Sequence, residues 1–445
     1  MWEALASSRR QDRLLHGGAK ALNLVVGVVA LPLWLIGQRL RDPLRALLAR
    51  MDREPAALPV AQGRERTMDA LMSDLESIPH HLKPSESAML RKGLADLSAF
   101  VLSQQREAAN LGYAYPEQFS DHVFEGADGE HIAASVGLHA RTTETAPAPF
   151  GAKAPHQITG RPGLIVVHGL FSSRRFDYVR QIAVRAFYEW GFNVLALDLR
   201  SFGLTNLTSQ APSTVGWKEG EDIIAAALYL KELGATTVGA LGISLGASSV
   251  LGASHPQGAD ESLDGGILAV SPPAEPQAMA RRLSKRLPAT HPAYLLNQGF
   301  WAMLTSRVRQ SRWDGIENFL DPVERISAPF YGIPPEELWR RAAAKEHLRD
   351  AKVPVLVLHP EDDQVIPVEQ ARALAEAAAG NELVRVWILP GGGHGAIDAV
   401  DREWFYAVAR GFFERWAGYG RRDEPDPAGS ESARARAKLI YSAAR

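Results

Sequence analysis

The chain has 445 residues, 46% hydrophobic and 22% charged, enough to build one large globular domain with additions, or two domains. A formal net charge of −2 and a pI of about 6.7 leave no basic field that would point to nucleic acid. Cysteine is absent, which excludes disulfides, thiolate metal sites and a Cys nucleophile but leaves the compartment open.

The first distinctive segment is Ala21 to Gln38, ALNLVVGVVALPLWLIGQ, which carries no charge. Arg9, Arg10, Arg13 and Lys20 precede it; Arg39, Arg41 and Arg45 follow. As a helix it would span roughly 27 Å at about 1.5 Å per residue, just short of a hydrocarbon core. No small-x-small cleavage site follows, which argues against a signal peptide. Basic residues on both sides leave the orientation open, and Pro32 would kink the helix, which suits a shallow insertion as well as a full span. Two readings stand. One is a membrane-associated protein facing the cytoplasm, in contact with lipid through 21–38. The other is a soluble cytoplasmic protein with this helix packed on its own globular domain.

Leu40, Leu44, Leu47 and Leu48 then stand at helical spacing among arginines, and Glu54 to Arg64 is a Pro- and Ala-rich linker. Thr67 to Asn110 reads as helices broken at Pro79 and Pro84. Residues 1–111 are therefore expected to form a helical extension without chemistry of its own. His80 and His81 read as a solvated loop pair, since no third ligand stands at a suitable spacing.

From Phe119 the pattern changes to FSDHVFEGADGEHIAASVGLHA, two strand-like runs around a turn at Gly126 to Gly129. A Pro-containing linker, Thr142 to Gly163, follows. Short apolar runs then alternate with helical stretches: Leu164–Val167, Asn193–Asp198, Val238–Leu241, Gly266–Val270, Val353–His359 and Val384–Leu389. Strands this continuously apolar are buried on both faces, as in a parallel sheet covered by helices. The fold class expected is α/β, with a mostly parallel central sheet flanked by helices over 112–273 and 351–419. From Pro272 to Asp350 only helical pieces rich in aromatics and Arg occur, so 274–350 is predicted to form a helical cap. The polar stretch 420–445 is expected to be an unstructured tail.

Within this pattern Gly242-Ile243-Ser244-Leu245-Gly246 is a G-x-S-x-G pentapeptide with a strand before it and a helix after it. Serine at such a strained turn lifts its Oγ above the sheet, and glycines on either side remove side chains that would collide in the bend. A serine hydroxyl needs a base to take its proton, and the base needs a carboxylate to orient it. Downstream, VPVLVLHPEDDQVIP ends a strand at Asp362-Asp363, and VWILPGGGHGAID ends another at His394 in a glycine-rich loop. Ser244, Asp363 and His394 thus each follow a strand's C-terminal end, in an order that lets three distant residues converge. Asp362 and Glu361 are read as solvated loop groups, and His359 as a structural residue at the strand's end. An oxyanion requires backbone donors. The N–H of Leu245, directly after the nucleophile, is one; the N–H of Leu170, in the VVHGLFSS loop, is the second, with Phe171 next in line. His168 is read as structural.

LIVVHGLFSS, LALDLRSFG, GISLG, EDDQVIP and GGGHG together resemble the α/β-hydrolase superfamily. The stretch IENFLDPVERISAPFYGIPPEELWRRAAAKEHLRDAKVPVLVLHPEDD resembles its branch of bacterial carboxylesterases and yeast medium-chain alcohol acyltransferases. The resemblance implies hydrolysis of carboxylic esters, or acyl transfer, through an acyl-enzyme and without a cofactor or metal. Two departures are visible: Ser201 stands where relatives often have Gly, and the N-terminal extension lies outside the shared fold.

The expected function is therefore that of a serine esterase or lipase acting on a small-molecule or lipid-like ester. A peptidase, thioesterase or acyltransferase on the same residues is the alternative within the enzyme class, and a non-catalytic scaffold the alternative outside it. Phe300, Trp301, Trp313, Phe319 and Phe330 are candidates either for an apolar acyl pocket or for the cap's own core, and Phe171, Trp301 and Phe330 are the substrate-binding candidates.

Overall fold

A computed structural model describes residues 66–84, 115–139, 160–254, 262–288, 290, 294–309 and 315–417. The apolar run at 21–38, Trp313, the tail from 420 and most of the 1–111 extension lie outside them. Among the described residues no helix is long and apolar enough to cross a membrane.

The first described element is helix α1 (Met68–Glu76), begun by Thr67, whose Oγ1 accepts the Ala70 N–H at 3.3 Å. Strands β1 (Phe119–Glu125) and β2 (His131–Gly137) form the predicted antiparallel hairpin. Asp128 in the turn between them has φ 59°, a conformation its short polar side chain tolerates. Then come β3 (Gly163–Val167), α2 (Asp177–Tyr188), β4 (Asn193–Leu197), α3 (Trp217–Glu232), β5 (Val238–Ile243), α4 (Leu245–Gly252) and β6 (Ile267–Val270). The described residues between β6 and the next strand hold no strand, only α5 (Pro276–Ser284), α6 (Tyr294–Arg309), a π-helical turn at Pro322–Ser327, α7 (Pro335–Ala342) and a short helix at Ala344–Leu348. The chain returns to the sheet with β7 (Val355–Pro360), α8 (Val368–Ala377), β8 (Val384–Leu389) and α9 (Arg402–Ala417).

The eight strands are ordered β1-β2-β4-β3-β5-β6-β7-β8. β2 is antiparallel to β1 and β4, and every pairing from β4 to β8 is parallel. Each central strand feeds both sides of the sheet, because successive side chains point to opposite faces. In β3, Ile165 and Val167 join the core shared with α3, α4 and the helical segment between β6 and β7, whereas Leu164 and Val166 join the core shared with α1, α2 and α9. This double burial explains why the strands read as unbroken apolar runs rather than as alternating ones.

Candidate active site

Four loops leave the carboxyl ends of parallel strands on one edge of the sheet. The loop after β3 carries Leu170, the turn after β5 is Ser244 itself, the loop after β7 carries Asp363, and the loop after β8 carries His394.

Ser244 sits between β5 and α4 with φ 58° and ψ −116°, a conformation that favours glycine and is strained for serine. Its N–H donates to the Val270 carbonyl at 2.9 Å, and its carbonyl accepts the Ser248 N–H at 3.0 Å, so both sides of the turn are held. The flanking glycines are steric requirements. A Cβ on Gly242 would overlap the Gly246 carbonyl, and one on Gly246 would lie 2.5 Å from the carbonyl oxygens of Val167 and His168.

The structure brings Ser244, His394 and Asp363 into one hydrogen-bonded line. His394 Nε2 lies 3.0 Å from Ser244 Oγ, and His394 Nδ1 lies 2.9 Å from Asp363 Oδ2. A carboxylate can only accept, so Nδ1 carries the proton and Nε2 keeps the lone pair that faces the serine hydroxyl. Asp363 is buried, and its other oxygen accepts N–H bonds from Val365 at 2.9 Å and Ile366 at 2.8 Å. Burial by itself would raise the Asp363 carboxyl; the adjoining His394 imidazole and its hydrogen bond outweigh that and hold it below the ordinary carboxylate value.

The N–H groups of Leu170 and Leu245 have no hydrogen bond to the chain among the described residues. The loop that carries Leu170 is held from beneath. His168 is buried, its Nδ1 2.7 Å from the Gly169 carbonyl and its Nε2 accepting the Leu199 N–H at 3.0 Å. Those partners make it neutral and structural, as expected. Phe171 adopts φ 58°.

Two polar residues at the site were not expected from the sequence. Tyr178 Oη accepts the Gly169 N–H at 2.8 Å and donates to Ser172 Oγ at 3.0 Å, pinning the Leu170 loop. Asp362, read as a solvated group, instead accepts the Gly393 N–H at 2.8 Å and joins the acid loop to the His394 loop. No sequence signal marks either contact: Tyr178 reaches the loop from helix α2, and Asp362 joins two loops that meet only in the folded chain. Glu361 is solvent-exposed, as expected. His359 is buried, with Nε2 2.9 Å from the Ile366 carbonyl, and burial lowers its pKa so that it stays neutral.

The aromatics that the sequence left between pocket and core divide, with Phe171, Trp301 and Phe319 buried in the main apolar core. Phe171 meets Phe319 at 6.4 Å between ring centroids, and Phe319 meets Trp301 at 5.4 Å and Phe300 at 6.5 Å. One aromatic cluster thus runs from beside the Leu170 loop into the cap. Phe330 is outside it: the residue is 52% exposed and its ring lies 5.0 Å from that of Tyr331. Sequence cannot separate these rings, because exposure in a helical insertion depends on how its pieces dock. Ser201 also gains a physical account. Its φ is 67°, the left-handed conformation that glycine adopts freely, and its Oγ accepts the Ser213 N–H at 2.9 Å. Among the described residues no group of three or more His, Asp or Glu is arranged to hold a metal.

The profile of the alpha/beta hydrolase family matches residues 164–428, more than half of the chain. No curated protein matches it. Among solved structures, the Pyrococcus furiosus esterase Pf2001 is 18% identical, with 76% of this chain and 99% of that chain covered at a TM-score of 0.46. Est1E from Butyrivibrio proteoclasticus is 16% identical, with 66% and 98% covered and a TM-score of 0.41. A Mycobacterium tuberculosis puromycin-hydrolyzing peptidase is 19% identical, with 72% of this chain but 42% of that chain covered, at a TM-score of 0.45.

Proposed function

The chain belongs to the α/β-hydrolase family, and from that premise we propose that it is a serine hydrolase of carboxylic esters working through an acyl-enzyme on Ser244. The observation that carries this reading is the line from Ser244 Oγ through His394 to Asp363, at 3.0 and 2.9 Å, next to two unengaged backbone N–H groups. As Ser244 Oγ attacks the ester carbonyl carbon, His394 Nε2 takes its proton, and Asp363 stabilises the imidazolium that forms. The carbonyl π pair moves to oxygen, where the Leu170 and Leu245 N–H groups receive it; a donor of this kind is worth roughly 3–4 kcal/mol in the transition state. Collapse breaks the C–O bond, and His394 returns the proton to the leaving alcohol. Water, deprotonated by His394, then attacks the acyl carbon; the bond from Ser244 Oγ to the acyl carbon breaks, His394 returns the proton to Oγ, and the acid leaves.

The proposed substrate is an ester of a medium-chain or lipid-like acid. The support is apolar character: the Phe171–Phe319–Trp301 cluster borders the loop of Leu170, and the run at 21–38 carries no charge. Contact with a membrane through 21–38 is part of the same proposal and rests on the sequence of that run. Partition of the full chain, and of a chain lacking residues 1–60, between lipid vesicles and buffer tests it; equal soluble recovery would remove the idea.

The deciding experiment is hydrolysis of p-nitrophenyl esters from acetyl to palmitoyl by wild type and Ser244→Ala. Activity lost in the variant, with an optimum at medium or longer acyl chains, is the expected result. An optimum at acetyl would overturn the substrate class, and wild-type activity on amides or thioesters alone would replace the ester reading.

A further inference from the structure

After Pro390 the loop that carries His394 runs through three consecutive glycines, Gly391, Gly392 and Gly393, and a fourth, Gly395, follows the histidine. Gly392, Gly393 and Gly395 all have positive φ. Such a sequence has little stiffness of its own, so a base held within hydrogen-bond reach of Ser244 needs support from outside the loop. Within the family fold that support includes the Gly393 N–H to Asp362 bond. Ser271 Oγ adds a long contact of 3.5 Å from the Gly395 N–H, and further support comes from a part of the chain that precedes the family match.

Residues Ile78 to Pro84 run from α1 across both ends of the His394 loop. At the near end, the Lys83–Pro84 backbone lies against Gly391 so closely that a Cβ there would overlap the Lys83 carbonyl group. At the far end, Asp401 Oδ2 accepts the His81 N–H at 2.7 Å, while its Oδ1 accepts the Trp404 N–H at 3.2 Å at the start of α9. The His80 ring meets Trp404 edge-on at 5.7 Å, and Trp404 in turn meets Trp387 of β8 at 5.3 Å. Between these contacts Leu82 is buried in the same apolar cluster as Ile397, three residues beyond His394. Helix α1 anchors the segment: Met68, Leu71 and Leu75 are buried in that cluster, Asp69 pairs with Arg385, and Asp74 pairs with Arg415.

We infer that Ile78–Pro84 is a positioning brace for His394, built from the N-terminal extension, which holds the imidazole in line with Ser244. The inference rests on the reading of His394 as the general base. The brace acts through backbone and fixes the loop at Gly391 and Asp401 rather than touching substrate. It also gives the extension a role that its sequence does not announce: the side chains of His80 and His81 are exposed, and the contacts are made by main chain, by the edge of the His80 ring and by the buried Leu82.

Two variants test this in the full chain. Gly391→Ala drives a Cβ into the Lys83 carbonyl and pushes brace and loop apart. Asp401→Asn keeps one acceptor oxygen for the Trp404 N–H but loses the acceptor for the His81 N–H. Sites are titrated with a fluorophosphonate at Ser244, and kcat per titrated site and KM are measured on p-nitrophenyl butyrate. A displacement of about 1 Å at a reacting group costs about a hundredfold, so a fall of roughly ten- to a hundredfold in kcat is expected, with KM within about twofold. Slowed labelling that still reaches full stoichiometry should accompany it. Folded variants with kcat within about twofold of wild type would overturn the brace. So would a loss of rate matched by an equal loss of titratable sites, because that is lost fold and not lost alignment. If Gly391→Ala does not fold, Asp401→Asn decides. A wild type that neither hydrolyses the ester nor takes the label would instead sink the catalytic reading, and the two failures are thereby distinguished.

Discussion

Asp363→Asn separates the electrostatic and tautomeric role of the carboxylate from its role in holding a loop. Asp363 Oδ1 accepts two backbone N–H groups and Oδ2 accepts His394 Nδ1–H. An asparagine can satisfy the two N–H groups with its carbonyl and turn its amide toward Nδ1. An amide donates, so Nδ1 must become the acceptor and the ring proton moves to Nε2. There it points at Ser244 Oγ, and the base is lost with the geometry intact. The same change in a Ser-His-Asp triad costs about 10⁴ in kcat, which corresponds to about 5 kcal/mol of transition-state stabilisation. Asp363→Ala should behave differently. It leaves the Val365 and Ile366 N–H groups buried and unpaired, at about 1–3 kcal/mol each, so roughly 2–6 kcal/mol of stability is lost as well as activity. The assay is kcat on a p-nitrophenyl ester beside chemical denaturation of wild type, Asp363→Asn and Asp363→Ala. A folded Asp363→Asn enzyme that retained more than about a tenth of wild-type kcat would refute the tautomer argument. A larger loss in Asp362→Asn than in Asp363→Asn would move the orienting role to Asp362. The acid limb of stability carries the same signature. The Asp363 carboxyl sits below its ordinary value when folded, so its contribution is present above about pH 4 and is lost as pH falls through the folded value; Asp363→Asn lacks that loss.

Tyr178→Phe removes the oxygen that holds the Gly169 N–H, so the Leu170 donor should drift and kcat fall about ten- to a hundredfold with little change in KM; an unchanged kcat would show that the loop holds itself. Gly246→Ala places a Cβ 2.5 Å from two backbone carbonyl oxygens, with no side chain that can rotate away, and should cost about 1–3 kcal/mol or more in denaturation together with loss of fluorophosphonate labelling. Asp222 lies buried against Arg200, with Arg200 Nε 2.7 Å from Oδ2, and burial pushes its carboxyl up to about 6 despite that partner. The folded chain therefore keeps this proton longer than the unfolded chain, whose carboxyl ionises near about 4. The group's contribution to stability is full below about pH 4 and fades as pH rises to about 6, so the advantage in Tm of wild type over Asp222→Asn should shrink across that window. An advantage that grows instead would count against the burial argument.

The sheet and the three residues proposed to react were legible from the sequence for physical reasons. A strand buried on both faces must be apolar at consecutive positions, as in GLIVV and VGALGI, and an eighty-residue interval without such a run has to be an insertion. The turn at Ser244 needs glycine on both sides whatever surrounds it, because Gly242 and Gly246 collide with backbone if given a Cβ. Residues that act at strand ends are thus announced by their own neighbours.

Other features of the site have no local signature. Phe171, Phe300, Trp301, Phe319 and Phe330 looked alike as candidates, and only the docking of the cap separates four rings in one cluster from one that faces solvent. Asp362 looked like a loop carboxylate beside a better candidate, yet it ties two loops together through a backbone N–H thirty-one positions away.

The sequence by itself determined the α/β class, the strand-to-helix rhythm, the elbow at Ser244 and the order in which Asp363 and His394 follow it. Those depend on the burial and backbone conformation of short segments. Only the tertiary structure decided how the Leu170 loop is pinned by Tyr178, where the cap's rings lie, and that His81 and Lys83 press on the loop of His394 from the opposite end of the chain. None of these contacts has a local signature, and the one from His81 to Asp401 spans 320 positions; a backbone N–H is the same chemical group wherever it stands in a sequence.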